Sequence, residues 1–208
     1  MKTIVRATVV CVLFAGSALA LTGERMAEMP LDKMTPAQRA VADAIMSGPR
    51  GRMSGPFNAW LRSPELADRL QKVGEYVRFN TSLDKRINEM AIIMTAQFWS
   101  SQYEWYAHAP LAIKAGLSPE IVADLKARKR PANMKEDEAA VYDFVTELSA
   151  KHEVSDQTFA RAKQVLGEQQ VVDLTAVSGT YVTVAMILAM AEEGVPPGKE
   201  SPFKPGDP

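Results

Sequence analysis

The chain has 208 residues, of which 47% are hydrophobic, with 24 Lys and Arg residues against 25 Asp and Glu residues. A chain of this length and composition can bury one substantial core, which excludes disorder over most of its length. The balanced charge provides no strongly basic face, so we expect no nucleic-acid partner.

The first 20 residues have the features of a secretory signal peptide. Lys2 and Arg6 precede an apolar run over residues 7–14, and a stretch of mostly small residues follows and ends in Ala18-Leu19-Ala20. This run is too short for a membrane-spanning helix, so we expect an exported protein, periplasmic or secreted, with no membrane partner after signal removal. The chain's one cysteine, Cys11, lies in this segment. The mature protein therefore has no thiol for a disulfide, a metal site or a nucleophile.

Helix signals dominate from residue 35 onward. Thr35, Ser63 and Ser118 each precede a proline, a pattern typical of an N-cap followed by the first helical position. Apolar residues then recur at three- and four-residue spacing. In chain order, helices are predicted to begin at residues 36 and 64 and to cover 87–98, 101–115, 119–128, 135–151, 156–166 and 168–193. The pattern predicts an all-α, single-domain helical bundle over residues 35–193, centred on an antiparallel hairpin of two helices that turns near residue 100.

Two segments have the composition of loops. Residues 47–56, SGPRGRMSGP, form a Gly/Pro-rich loop that carries Arg50 and Arg52. Residues 194–208 hold five prolines and three glycines, which predicts a disordered tail. Gly179, inside the last helix, is a candidate for a close helix crossing.

The candidate chemistry centres on Glu104 and His108. Four residues apart on one helix, their side chains are able to touch, and the carboxylate would hold the imidazole in one tautomer for acid–base work. The surrounding aromatics indicate a pocket, to which we expect Ser101, Tyr103 and Trp105 to contribute substrate contacts. The alternative is a solvated Glu–His pair on an exposed helix face, and such a solvated position is what we expect for His152.

Glu89 is a third candidate, because it lies on the otherwise uncharged helix before the turn. In an antiparallel hairpin, residues 89 and 108 lie at comparable distances from that turn and could meet. A carboxylate in such an apolar helix is either in its exposed early turns or buried for a purpose.

Residues 88–125, NEMAIIMTAQFWSSQYEWYAHAPLAIKAGLSPEIVADL, resemble the signature of the carboxymuconolactone decarboxylase and alkyl hydroperoxidase D superfamily, in particular its non-thiol branch. In the peroxidase branch a Glu, two Cys and a His occupy the positions that here hold Glu89, Ser101, Glu104 and His108. Both cysteines are thus replaced. Without a thiolate there is no sulfenic acid step, so thiol peroxidase activity is not expected.

The resemblance implies a cofactor-free carbon–carbon lyase or isomerase similar to 4-carboxymuconolactone decarboxylase, acting on a small lactone or unsaturated carboxylic acid. His108 would be the proton donor or base, Glu104 would orient it or share its proton, and Glu89 would support it. Arg50 and Arg52 would bind a substrate carboxylate. Members of the superfamily form trimers or hexamers, so a homo-oligomer is expected.

Two alternatives remain open. One is a non-catalytic family member that binds a small ligand or serves as a structural oligomer. The other is metal-assisted chemistry with Glu89, Glu104 and His108 as ligands. These three ligands suit zinc poorly, but they are not an impossible set for a harder metal. Our preferred interpretation assigns no metal and no cofactor.

Overall fold

The computed structural model describes residues 24–203. Within this range the protein consists of helices and connecting segments with no β-strand, so the predicted all-α class is confirmed. The nine α-helices are α1 (Pro36–Ser47), α2 (Phe57–Trp60), α3 (Pro64–Glu75), α4 (Lys85–Phe98), α5 (Gln102–Lys114), α6 (Pro119–Lys126), α7 (Glu136–Lys151), α8 (Asp156–Leu166) and α9 (Glu168–Ala191). The predicted signal peptide lies outside the described residues.

Capping chemistry starts several helices where the sequence indicated. The Thr35 hydroxyl accepts a hydrogen bond from the Gln38 backbone N–H, and the Gln38 side chain accepts one from the Thr35 N–H in return. Ser118 caps α6 through the Glu120 N–H. Helices α1, α3 and α6 each have proline in their first turn, where its missing N–H costs nothing.

The centre of the fold is the hairpin of α4 and α5. Residues 87–96 of α4 are buried without a break, because the helix packs against α5, α7 and α9. The chain reverses at Ser100, which adopts a positive φ of 47°, and the Ser101 N–H donates to the Ala96 carbonyl. The turn is so short that α4 and α5 run antiparallel and side chains equidistant from it face each other.

A second, smaller core lies beside this hairpin. It is formed by α1, α2 and the start of α3, and partly buried residues of α9 pack against it. Its members are Val41, Ala42, Ile45, Phe57, Trp60, Leu61 and Ala67. The loop of residues 48–56 contributes Arg50, Arg52, Ser54 and Pro56 to the wall of the cavity described below.

Helix α3 continues into a π-helical turn, Tyr76–Asn80. Each hydrogen-bonded ring of a π-helical turn contains one residue more than the ring of an α-helix. The side chains that follow therefore point in a different direction. Val77 enters the main core and Arg78 lines the cavity.

Helix α9 is, among the described residues, the one helix long and apolar enough by length and composition to cross a membrane. Within its most apolar stretch 44% is buried inside the protein, a pattern also found in core helices of soluble proteins. Among residues 24–203, no helix crosses close to Gly179, where a close crossing was predicted. A Cβ at this position would have nothing within 4 Å, because Gly179 lies on the outward face of the helix.

The segment after α9 has no helix up to residue 203, but its end is held in place. Phe203 is buried, its ring lies 5.2 Å from that of Trp105 in an edge-to-face arrangement, and its backbone exchanges hydrogen bonds with the Gln102 side chain. This differs from the disordered tail that composition predicted. One aromatic ring among prolines and glycines gains enough by burial to order the segment that carries it.

Candidate active site

A buried carboxylate–imidazole pair joins α4 to α5. The Oε2 atom of Glu89 lies 2.7 Å from Nδ1 of His108, and both side chains are almost fully shielded from solvent. Lys85, one turn before Glu89, places its Nζ 3.1 Å from the other carboxylate oxygen. The pKa of Glu89 is lowered: burial opposes ionisation, but the imidazole and Lys85 together outweigh it.

The imidazole is held neutral with a defined tautomer. Burial lowers the pKa of His108, an effect that the Glu89 carboxylate only partly offsets. Since Nδ1 faces a carboxylate, we assign the ring proton to Nδ1, which donates to Glu89 and leaves Nε2 as a free acceptor. The Tyr181 hydroxyl of α9 lies 3.3 Å from Nε2, and burial raises the pKa of this phenol, so it remains a donor.

Glu104 lies one turn before His108 and does not bond to it. The expected Glu104–His108 hydrogen bond is not formed. The imidazole is instead hydrogen-bonded through Nδ1 to Glu89 on the facing helix. Both Glu104 carboxylate oxygens are buried without a hydrogen-bond partner among the described residues. Burial raises the pKa of Glu104 to about 8. At neutral pH Glu104 is thus mainly a neutral carboxylic acid, able to donate a proton.

Glu104 and His108 line the same cavity, which has a volume of about 50 Å³ and opens to the surface. Its wall is completed by three arginines, by the aromatic residues Phe57 and Trp60 of the smaller core, and by Tyr181. The lining residues are Arg50, Arg52, Ser54, Pro56, Phe57, Trp60, Gly74, Val77, Arg78, Tyr103, Glu104, Ala107, His108, Thr180, Tyr181 and Val184.

The cavity carries an excess of positive charge. The Arg50 guanidinium lies 4.7 Å from the centre of the Phe57 ring, and its pKa is lowered by burial and by repulsion from Arg78. The Nε atom of Arg78 is buried and has no hydrogen-bond partner in the part of the chain that the structure describes. With Glu104 and His108 neutral, no anionic side chain that lines the cavity balances these arginines. Such a site favours an anionic ligand.

Some of the remaining site residues predicted from the sequence line the cavity, and others do not. Tyr103 and Arg50 line the cavity, and Arg52 does so from an exposed position at its rim. Ser101 and Trp105 do not line it, because Ser101 lies at the start of α5 and Trp105 packs against Phe203. His152, as expected, is exposed.

Two residues of the site were missed in the sequence. Tyr181 lies in the long apolar pattern of α9, which resembles any core helix. Arg78 was hidden by the π-helical turn, because ordinary helical periodicity gives its side chain another direction. The aromatic cluster around Arg78, with Tyr76 and Phe79, was the one available signal.

The metal-assisted alternative finds no support in the donor geometry. Within residues 24–203, no group of three or more His, Cys, Asp or Glu side chains is arranged to hold a metal ion. Glu89 already pairs with His108 and Lys85, and Glu104 stands apart from that pair.

Comparisons with known proteins agree with the helical architecture. The model of the family described as "Carboxymuconolactone decarboxylase family" matches residues 64–147, a span that includes Glu89, Glu104 and His108. No protein of curated function matches the sequence significantly. A solved structure described as an alkylhydroperoxidase AhpD core, an uncharacterized peroxidase-related protein from Ralstonia eutropha JMP134, superimposes with a TM-score of 0.66 at 15% identity, over 80% of this chain and 88% of that chain. At this identity the likeness concerns the fold. The matched span of residues 64–147 is similar to this family, and the chain shares the fold of the solved structure.

Proposed function

We propose that this protein is an acid–base enzyme that moves protons at carbon in a small unsaturated or lactone carboxylic acid, as a lyase or isomerase. The observation that carries the proposal is one cavity lined by two buried groups: the His108 imidazole, bonded to Glu89, and the Glu104 carboxyl, which has no hydrogen-bond partner among the described residues. His108 is a neutral base because burial lowers its pKa, and Glu104 is a neutral acid because burial raises its pKa. Pairs displaced in this way are the means by which enzymes run acid and base chemistry at one pH.

His108 is the proposed base. Its Nε2 accepts a proton from a carbon next to the substrate carbonyl, and the Glu89 carboxylate stabilises the imidazolium that forms. The 3.3 Å contact with the Tyr181 hydroxyl is at the long end for a hydrogen bond, so a substrate that approaches Nε2 displaces only a weak interaction.

Glu104 is the proposed acid. In an isomerisation it returns a proton to a different carbon of the dienolate, and the proton on His108 then restores Glu104 through solvent. In a decarboxylation the bond to the carboxylate carbon breaks, and carbon dioxide leaves. The electron pair passes into the conjugated carbonyl, and the Glu104 proton moves to carbon. Glu104 then regains a proton from water, so no redox partner is consumed.

The arginines supply the anionic specificity. Arg50 and Arg78 repel each other across the cavity wall, and a carboxylate placed between them would relieve this repulsion. Arginine presents a planar pair of donors that matches a carboxylate, which fixes the acid's orientation relative to His108 and Glu104. This requirement favours a substrate with at least one carboxylate.

The test is solvent isotope exchange. The purified protein is incubated in deuterated buffer with a panel of lactone acids and unsaturated acids, and deuterium incorporation and carbon dioxide release are followed by NMR and mass spectrometry. We expect exchange or release with wild type, and at least a hundredfold loss of the exchange in His108→Ala. Acids that bind without any exchange or release would instead identify a non-catalytic binding protein, the alternative function.

We also propose that the protein acts after export and as a homo-oligomer. Export is supported by the first 20 residues, in which charged residues are followed by an apolar run and then by small residues. N-terminal sequencing of protein from the culture would test export. Assembly is supported by the outward face of α9, where Val172 is 68% exposed and Met186 55% exposed. Light scattering after size exclusion would test assembly, and a monomer at micromolar concentration would contradict it.

A further inference from the structure

The catalytic cavity adjoins a much larger groove. At about 50 Å³ the cavity holds about four water molecules by the same measure of volume, which is too little for a whole substrate. The neighbouring groove has a volume of about 600 Å³. Ser54 and Tyr103 line both spaces, so they form the partition between them.

At this partition the loop lies close against the Tyr103 ring. Gly55 has a positive φ of 65°, and a Cβ at this position would lie 2.7 Å from the Tyr103 ring. Only glycine therefore lets the loop lie flat on that ring. A substrate that passes beside Tyr103 would reach from one space into the other.

The groove is apolar, and methionine is its dominant side chain. Five methionines from three parts of the chain line it, accompanied by Pro30, Leu31 and Leu61. Asn58 holds the N-terminal wall in place, since its side chain accepts from the Met29 N–H and donates to the Met26 carbonyl. Methionine side chains adapt to ligands of varied shape. The five are Met26, Met29, Met34, Met46 and Met53.

The two spaces have opposite charge. Arg50, Arg52 and Arg78 line the cavity, whereas the charged residues that line the groove are Glu28 and Glu193. The charge of Glu28 adds to burial in raising the pKa of Glu193, so the two carboxylates act on each other. An acid is therefore drawn to the cavity by its carboxylate and is repelled from the groove in the reverse orientation.

We propose that the methionine groove binds the apolar arm of the substrate, whose carboxylate end lies among the cavity arginines, so that the substrate class is an acid with an extended hydrocarbon chain. This inference rests on the proposed function and adds the second half of the binding site to it. The adjacency of the two spaces, which share Ser54 and Tyr103 in their walls, together with the charge difference, selects this occupant over a separate ligand.

Straight-chain saturated carboxylates, from butanoate to dodecanoate, are unreactive probes for this arrangement. Their dissociation constants are measured by isothermal titration calorimetry with the full-length purified protein. Each methylene that enters the groove should tighten binding about fourfold, until the groove is full. In Met29→Glu the gain with chain length should disappear while butanoate binding is kept, because Met29 lies in the groove and outside both cores.

Phe159→Glu is the matched control, since Phe159 is an exposed apolar residue on α8 and lines neither space. It should keep the full chain-length gain. Met29→Trp provides a second variant that fills the groove without adding charge, and it should shorten the longest acid accommodated.

The outcomes are distinct. If the dissociation constant in wild type does not change with chain length while short acids still bind, the groove proposal is wrong and the proposed function is unaffected. A gain that persists in both Met29 variants also overturns it, because the arm then binds elsewhere. If no acid of any length binds, the proposed function itself fails and the groove proposal falls with it.

Discussion

Glu89 of α4 and His108 of α5 are 19 positions apart, and their side chains meet in the interior at 2.7 Å. The tight turn at Ser100 makes this contact, because it aligns the two helices so that these positions face each other. A buried carboxylate bonded to one ring nitrogen orients the imidazole and stabilises its charged form during proton transfer. The pair thus supplies the base of the proposed reaction without any residue from a loop.

Replacing Glu89 with Gln should lower turnover about a hundredfold, with little change in KM. The amide still offers an oxygen to His108 Nδ1, but it no longer neutralises the imidazolium formed in the reaction. Steady-state kinetics on whichever acid shows isotope exchange provides the measurement. Glu136→Gln, at an exposed position of α7, is the control and should leave turnover unchanged. Equal turnover in the two variants would show that the Glu89 charge has no role in the base.

The pH dependence of kcat/KM should be bell-shaped. On the acid side activity falls as His108 becomes protonated, and since burial lowers the pKa of His108, this limb lies below its ordinary value of 6.5. On the alkaline side activity falls near pH 8, where Glu104 loses its proton. Rates measured from pH 4 to 10 would check both limbs. Glu104→Gln should be slower and should lack the alkaline limb, whereas an alkaline limb unchanged in this variant would assign that ionisation to another group.

The free energy of unfolding should also depend on pH through the ionisation of Glu104. Its pKa is 4.5 in the reference state and about 8 when folded, so between these values the unfolded chain binds fewer protons than the native one. Stability therefore falls as pH rises through this window, by up to about 5 kcal/mol once pH 8 is passed. Glu104→Gln removes this dependence.

Urea unfolding at pH 5, 7 and 9 measures the difference. The stability of Glu104→Gln relative to wild type should increase steadily with pH, because the uncharged amide carries no ionisation cost. A constant difference across the three pH values would mean that the Glu104 carboxyl is hydrated or paired in solution.

The fold was largely accessible from the sequence because its signals are local. The capping residues Thr35 and Ser118 specify helix starts through hydrogen bonds within one turn. The uninterrupted apolar run of α4 indicated a central helix, and the run is buried over residues 87–96. Such features act over three or four residues and require no knowledge of tertiary contacts.

The site was only partly accessible because it depends on contacts between distant segments. Sequence spacing favoured Glu104 as the partner of His108, and the hairpin offered Glu89 as a second candidate. Spacing shows which side chains are able to meet but does not decide between two such carboxylates, and the structure places Glu89 on the imidazole. Tyr181 reaches the imidazole from 73 positions away. Arg78 enters the cavity through a π-helical turn for which the sequence has no pattern.

Arg78 should determine affinity for anionic substrates. Arg78→Gln removes a cavity charge and should raise KM about tenfold or more, with a smaller effect on kcat, because a carboxylate loses a charge-assisted partner. Arg78→Lys should recover part of the loss through charge alone. Arg69→Gln, on the exposed surface of α3, is the matched control. If Arg78→Gln bound acids as tightly as the control does, the anion subsite would have to be formed by Arg50 and Arg52.

Phe203 should stabilise the protein although it lies in a proline- and glycine-rich segment. Its ring is buried against Trp105, and its backbone is tied to Gln102 by two hydrogen bonds. Phe203→Ala should lower the free energy of unfolding by about 2–3 kcal/mol, the value for exposing a buried aromatic side chain. Urea unfolding gives this number, and Phe203→Leu, which keeps most of the apolar surface, should lose less than half as much. A loss below about 0.5 kcal/mol in Phe203→Ala, within the range of ordinary surface substitutions, would show that the segment is detached in solution.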